Sequence, residues 1–382
     1  MTVSRRGADR IRGGHPWVYR SDLARIEAGP GDLVSVADGR GRPLGVGLYS
    51  DRSQIALRML SHDAAWPAGA WTTRLAQALA FRDGLGIDAT AYRLVHAEGD
   101  RLPSLVVDRY GDVLVLQSLS QGIEKHLPAI VEALVELAAP AGILARNDPK
   151  VRALEGLEQV ITLLHGEVPQ TVRVREGRVQ IDVDPWRGQK TGMFLDQREN
   201  HAAAAAYARG RALDAFSYNG GFALQLAARA ERVIALDASE EAVGAIRRNA
   251  ALNGIANVEA RVANVFDELR DLERAGERFD TIVLDPPAFA KSRASVPSAL
   301  SGYKEINLRA LKLLTPGGIL VTCSCSYHLD EAAFGQVVYE AAVDAQVAVT
   351  VVEKRMQARD HPVVLGVPET YYLKCLILRR LP

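Results

Sequence analysis

Cysteine is scarce in this chain, with 3 among 382 residues. Three thiols cannot build a disulfide framework, and their sparing use suits a reducing cytoplasm. A surplus of either charge is also missing: Lys+Arg and Asp+Glu both number 46. Bulk attraction to nucleic acid or membrane is therefore excluded, and any polyanion site must be a local patch. No apolar run approaches the roughly eighteen residues that a membrane helix needs. The basic start "MTVSRRGADRIRGG" is not followed by an apolar stretch, so a secretory signal is not expected. There is no G-x-G-x-x-G either, which leaves a dinucleotide's pyrophosphate without its cradle and disfavours a nicotinamide dehydrogenase. What remains is the composition of a soluble, cytoplasmic globular protein long enough for two or three domains.

Three rhythms follow one another along the chain. Residues 1–65 are dense in Gly and Arg, with short alternating runs such as "DLVSVAD" and "QIALRML" joined by turns such as "DGRGRP". This predicts a compact β-barrel module. Residues 66–183 mix helical periodicity ("HLPAIVEALVELA") with hairpins ("LVVDRYGDVLVL", "TVRVREGRVQIDVD"), predicting a small α+β domain. From residue 184 to 382 strands and helices alternate. "RALDAF", "RVIALD", "FDTIVLD" and "GGILVTCSCS" read as strands, and "AVTVVEKR" and "YYLKCLILRR" close the series. With a third strand ending near "VANVF", this predicts a seven-stranded, doubly wound, mainly parallel α/β sheet of Rossmann-like type.

Ligands of such sheets sit beyond the C-terminal strand ends. Asp214, Asp237 and Asp285 each fall at such an end, and Gly220 and Gly221 follow the first strand. Asp237 is placed to accept hydrogen bonds from two ribose hydroxyls, which without a pyrophosphate cradle suits S-adenosylmethionine better than NAD. A single Asp there would be read as a helix cap, but three in successive units favour adenosyl binding. Asn264 could meet the adenine amine through its side-chain carbonyl, with Phe266 beside it, although Asn after a strand is also a routine turn signal. "LDPPAF" makes a rigid corner at Asp285, and Phe289 could stack on a flat base.

"CSC" holds two of the three cysteines. A zinc site needs about four ligands, and only His328 is close in sequence, so no metal is expected. A disulfide between strand residues i and i+2 has poor geometry. Buried packing accounts for Cys323 and for Cys375. Cys325 falls later, where the strand runs out towards the ligand crevice beside "LDPPAF". A thiolate next to a nucleobase pocket can add to C6 of a pyrimidine and so make C5 nucleophilic. Asp285 would then hold or protonate the base edge.

"GQKTGMFLDQREN", "DAFSYNGGFAL", "VLDPPAF", "GYKEINLRALKLLTPGGILVTCSCS" and "DHPV…PETYYLKCLIL" together resemble the bacterial S-adenosylmethionine-dependent large-subunit (23S) rRNA cytosine-C5 methyltransferases that carry an N-terminal PUA domain. "HPWVY" and "YRLVHAEGDRLPSLVVDRYGD" extend the resemblance over nearly the whole chain. It implies a PUA domain over 1–65, a central domain over 66–183 and a class I methyltransferase domain over 184–382 whose last strand is antiparallel. It implies a cofactor loop over Asp214–Gly221, including Phe216, Ser217 and Gly220, and a ribose carboxylate at Asp237 followed by Ala238. It also implies cofactor contacts from Lys190, Thr191, Phe194 and Gln197, and a nucleophile at Cys325. Related RNA cytosine methyltransferases place a second cysteine in the "DPP" corner, where this chain has Ala288. Arg10, Arg12, His15, Trp17 and Arg20 combine phosphate-binding charge with an aromatic for stacking, the expected grip on rRNA or an assembling large subunit. For any one of them a solvated basic face, with Trp17 in the barrel core, is the plainer account. Monomer and homodimer are both compatible. The rival activities are methylation of a purine nitrogen at the "DPPAF" corner, which needs no thiol, and non-catalytic RNA binding.

Overall fold

The computed structural model describes residues 1–290 and 292–382. The chain divides into two compact units: Met1–Val174 with Val183–Leu195 and Arg359–Thr370, and Arg175–Asp182 with Asp196–Ala358 and Tyr371–Pro382.

The first unit contains a six-stranded sheet drawn from residues 2–61 and a five-stranded sheet drawn from residues 91–166. A single apolar cluster runs through both: Val46, Leu48 and Leu60 pack with Leu75, Leu94, Leu116, Ile123 and Ile130. Gly122 permits that contact, because a Cβ there would lie 2.5 Å from the Leu48 Cβ. A buried Arg58–Glu155 ion pair at 2.8 Å joins the same two regions. In this unit the "DHPV" turn is held by Asp360, whose Oδ2 accepts from the Arg93 N–H at 2.8 Å.

The second unit is built on one seven-stranded sheet. Its strands are β1 (Arg211–Ala215), β2 (Arg232–Asp237), β3 (Val258–Val262), β4 (Phe279–Leu284), β5 (Leu314–Ser324), β6 (Val349–Arg355) and β7 (Lys374–Arg380). The order is β3-β2-β1-β4-β5-β7-β6, and only β7 runs against its neighbours. Helices α1 (Arg198–Tyr207), α2 (Gly221–Leu226) and α3 (Glu240–Leu252) cover one face through Ala204, Phe222, Val243 and Ile246. Helices α4 (Val265–Arg274), α5 (Val296–Leu313) and α6 (Glu331–Ala345) cover the other through Leu269, Tyr303, Ile306 and Phe334. Strand residues alternate between the two layers: Val321 and Cys323 face the first, Leu320 the second. Each such aliphatic side chain, fully buried, stabilises the fold by roughly 1.5–3 kcal/mol.

Local chemistry sets the helix ends. Ser239 caps α3 by accepting from the Ala242 N–H, acids fill its first turn, and Gly254 follows it with φ +65°. Helix α2 closes after Leu226, where the bonds of Ala228 and Arg229 shorten to i−3 turns. Among the described residues no helix is long and apolar enough to cross a membrane, and no group of three or more His, Cys, Asp or Glu could hold a metal ion.

Candidate cofactor site and base-side corner

Strand order reverses between β1 and its neighbours β2 and β4, so the crevice opens at the C-terminal end of β1. Asp214 lies there, fully buried. Its Oδ2 accepts from the Ala223 N–H at 2.9 Å, and among the described residues its Oδ1 has no hydrogen-bond partner within reach. Burial pushes this carboxyl up to about 7, and the neighbouring Asp285 charge adds to the rise. After β1 the backbone turns sharply. Phe216 and Tyr218 take φ of +68° and +50°, and Gly220 takes +93°. Non-glycine residues in that region cost about 1–3 kcal/mol each and collect at ligand-binding turns. The turn is fastened by Ser217, whose hydroxyl donates to the Asp214 carbonyl at 2.7 Å and whose N–H donates to the Leu236 carbonyl.

At the end of β2 the half-buried Asp237 accepts from the Tyr218 N–H through Oδ2 and from the Ser239 N–H through Oδ1, both at 2.9 Å. These bonds fix the carboxylate's plane and leave lone pairs for further donors. Ala238 beside it is exposed. After β3, Asn264 caps α4: its side-chain oxygen accepts from the Phe266 and Asp267 N–H groups at 3.0 and 3.4 Å. The carbonyl expected to meet an adenine amine thus already serves the helix. Phe266 and Phe289 are brought together with ring centroids 5.9 Å apart, and Phe289 continues onto Tyr303 at 4.8 Å.

Asp285 follows β4 and is oriented by Gln197, whose Nε2 donates to Oδ1 at 2.8 Å. Gln197 is buried and fixed in turn by Asn200 at 2.7 Å. One strand over, β5 ends at Ser324, so Cys325 leaves the sheet. It is half-buried, and its thiol donates to the Pro286 carbonyl of the "DPP" corner at 3.8 Å. Cys323 and Cys375 are fully buried and stand opposite each other on β5 and β7 as free thiols. Tyr303 clamps the Cys325 segment: its hydroxyl lies 3.0 Å from both the Ser324 and the Ser326 hydroxyls.

The remaining candidates belong to the first unit. Thr191 is buried, with its hydroxyl donating to Asp108 Oδ2 at 2.6 Å and sitting 2.9 Å from the Tyr110 hydroxyl. The Lys190 ammonium stands 4.5 Å above the Phe194 ring. In the N-terminal basic stretch, Arg12 pairs with Asp38 at 2.6 Å, Arg10 with Asp22 at 3.4 Å, and Arg20 donates to the Ser50 and Ser53 carbonyls. Trp17 donates to Glu98 at 2.9 Å, and His15 meets Trp17 edge-on. Acids distant in sequence therefore neutralise part of the local surplus, and Arg20 anchors the fold.

One part of the site carried no signal in the sequence. His201 on α1 is buried against Glu176, with Nδ1 2.7 Å from Oε1, and its ring lies against Gly221, where the turn after β1 enters α2. Burial disfavours the imidazolium, but the Glu176 carboxylate outweighs it and the imidazole shifts upward. A Cβ on Gly221 would fall 2.5 Å from His201 Cε1 and 2.8 Å from Nε2. Gly221→Ala is thus expected to push the ring off Glu176 and to lower stability by roughly 3 kcal/mol, overpacking and a disturbed buried pair combined. Denaturant unfolding measures it; an unchanged midpoint would refute the packing role.

Residues 1–62 match the model of a PUA-like domain, and residues 93–379 match that of an S-adenosylmethionine-dependent methyltransferase. A Tolumonas auensis protein named ribosomal RNA large subunit methyltransferase I is 41% identical over 377 residues, 96% of this chain and 95% of the relative. A protein of the same name from Shewanella denitrificans is 42% identical over the same shares. A SAM-dependent methyltransferase structure from Streptococcus mutans has the same fold, with a TM-score of 0.84 and 19% identity over 99% of both chains.

The residues present fit the cofactor. Asp214 Oδ1 is a buried acceptor awaiting a donor, and Asp237 is a fixed carboxylate with lone pairs to spare for a diol. When bound, S-adenosylmethionine supplies an electrophilic methyl group. By its family matches and its relatives alike, the chain belongs to the S-adenosylmethionine-dependent methyltransferases that carry an N-terminal PUA-like domain.

Proposed function

We propose that the protein methylates C5 of a cytosine in large-subunit ribosomal RNA through a covalent adduct between Cys325 and C6. The observation that carries this reading is the position of Cys325. It is the cysteine that leaves the sheet at a strand's C-terminal end, with its thiol against the Asp285–Pro286–Pro287 corner. Cys323, two residues earlier, is sealed in the core. The names of the relatives support ribosomal RNA as substrate.

The chemistry proceeds in two stages. The Cys325 thiolate forms an Sγ–C6 bond, and the C5–C6 π pair moves to C5. Asp285, held by Gln197, bears on the base edge at N3, where a proton or hydrogen bond takes up the charge pushed into the ring. C5 then takes the methyl group, and the S–CH3 bonding pair stays behind on sulfur, which leaves as a neutral thioether. Loss of the C5 proton to a carboxylate or water returns an electron pair to the ring, and the Sγ–C6 bond breaks. Phe289, packed on Phe266, offers a flat apolar surface for the base. The Asp-Pro-Pro-Ala-Phe corner alone would also suit methylation of a purine amine.

Transfer of labelled methyl groups to protein-free large-subunit rRNA, followed by digestion to nucleosides, separates the two. Label in 5-methylcytidine is the expected result, and label in a methylated purine would overturn the covalent reading.

A further inference from the structure

A nucleophilic thiol needs help to ionise, since a free cysteine titrates near 8.5. Lys374 stands where that help would come from. It opens β7 in register with Ser324, the last residue of β5, and only 2% of it is exposed. Its ammonium donates to the Ser326 carbonyl at 2.8 Å and to the Tyr372 carbonyl at 2.9 Å. Both acceptors are neutral, and the third N–H has no protein acceptor among the described residues. A buried cation without a counter-ion is costly and calls for an anion.

Two ionisable groups act on Lys374: the Cys325 thiol, between Ser324 and Ser326, and Asp330 at the start of α6. Asp330 is exposed and caps α6 through the Ala333 N–H. From α5, the Tyr303 phenol faces Cys325, and its burial keeps it neutral by raising its titration. Burial pushes Lys374 down to about 8, with Cys325 and Asp330 drawing it back up, so it remains cationic at neutral pH.

We propose that Lys374 is the positioning cation of Cys325, holding the cysteine as a thiolate at neutral pH and fixing its segment through the Ser326 carbonyl. The inference rests on Cys325 being the nucleophile. The thiol proton leaves to solvent while Lys374 keeps its own, so a cation–anion pair replaces a neutral thiol beside a lone charge. A lysine that merely ties β7 to the loop would leave the thiol's titration unchanged.

The test is the pH profile of Cys325 alkylation by iodoacetamide in the full-length protein, read by peptide mass spectrometry. It requires neither RNA nor cofactor, and Cys323 and Cys375 are sealed from the reagent. In the wild type the midpoint is expected at least about one unit below 8.5. Lys374→Met is expected to raise the midpoint by about a unit, slowing alkylation at pH 7 about tenfold, whereas Lys374→Arg keeps the low midpoint. A wild-type midpoint at or above 8.5, or one that Lys374→Met leaves in place, overturns the proposal. Should the Met variant fail to fold, the wild-type midpoint decides alone. A depressed midpoint with methylated purine as product would keep the pairing and sink the covalent reading. An ordinary midpoint with 5-methylcytidine would sink the pairing only.

Discussion

Cys325→Ala is expected to reduce methyl transfer to rRNA by at least about 10⁴-fold while cofactor affinity stays within a factor of about three. The first half follows from chemistry: C5 of cytosine is too weak a nucleophile to take a methyl group until something adds at C6. The second follows from position. Cys325 emerges after β5 against the Pro286 carbonyl, whereas the acceptors that fit the cofactor stand at the ends of β1 and β2. Cys323→Ala separates packing from chemistry. It removes a fully buried thiol facing Cys375, so its expected effect is a loss of stability of about 1 kcal/mol with turnover largely kept. Product formation and cofactor titration on both variants decide the matter. A Cys325→Ala enzyme of wild-type activity would remove the thiol from the mechanism and favour attack by a purine amine.

The two cysteines also show which features a sequence can disclose. Strand period and strand end are local properties, so the burial of Cys323 and the emergence of Cys325 could be read from "GGILVTCSCS". The carboxylates at strand ends were legible for the same reason, because alternating strands and helices imply a parallel sheet and the sheet implies a crevice. The buried partners were not. Glu176 meets His201 across 25 residues, Gln197 meets Asp285 across 88, and Lys374 meets the Ser326 carbonyl across 48. Lys374 did leave a trace, a charge inside the apolar run "YYLKCLIL", but its partner lay in the segment that follows β5. The arginines near the N-terminus illustrate the opposite error. Counted over 1–20 they face one acid, Asp9, whereas the fold brings Asp22 and Asp38 to Arg10 and Arg12. A local charge count overstates a patch whenever the neutralising residue lies elsewhere in the chain. Asn264 shows a third limit: the sequence places it correctly after β3, but one side-chain oxygen suits both a helix cap and a base contact, and the backbone of α4 takes it.

S-adenosylmethionine is expected to bind about tenfold more weakly for each pH unit below about 7, with Asp214 as the origin. This carboxyl is fully buried and half satisfied: among the described residues Ala223 donates to one oxygen, and the other has no partner within hydrogen-bond distance. Burial raises it to about 7, so without cofactor it is protonated in mildly acidic solution. The cofactor brings an ammonium and a sulfonium, and a cationic donor at the open oxygen favours the ionised carboxylate. Binding below pH 7 must therefore expel a proton, at a cost of about 1.4 kcal/mol per pH unit, whereas above pH 7 the carboxylate is already charged and the affinity levels off. Calorimetry in buffers of different ionisation enthalpy should detect close to one proton released per cofactor bound at pH 6, falling towards zero at pH 8. Asp214→Asn keeps the shape and the bond from Ala223 but cannot ionise. It should bind more weakly than wild type at pH 8, by roughly the 1.5–3 kcal/mol of a charge-assisted hydrogen bond, and with no slope between pH 6 and 8. A wild-type affinity independent of pH across that window would mean that the open oxygen meets no cation. The strained turn from Phe216 to Gly220 would then be the part of the site that selects the cofactor.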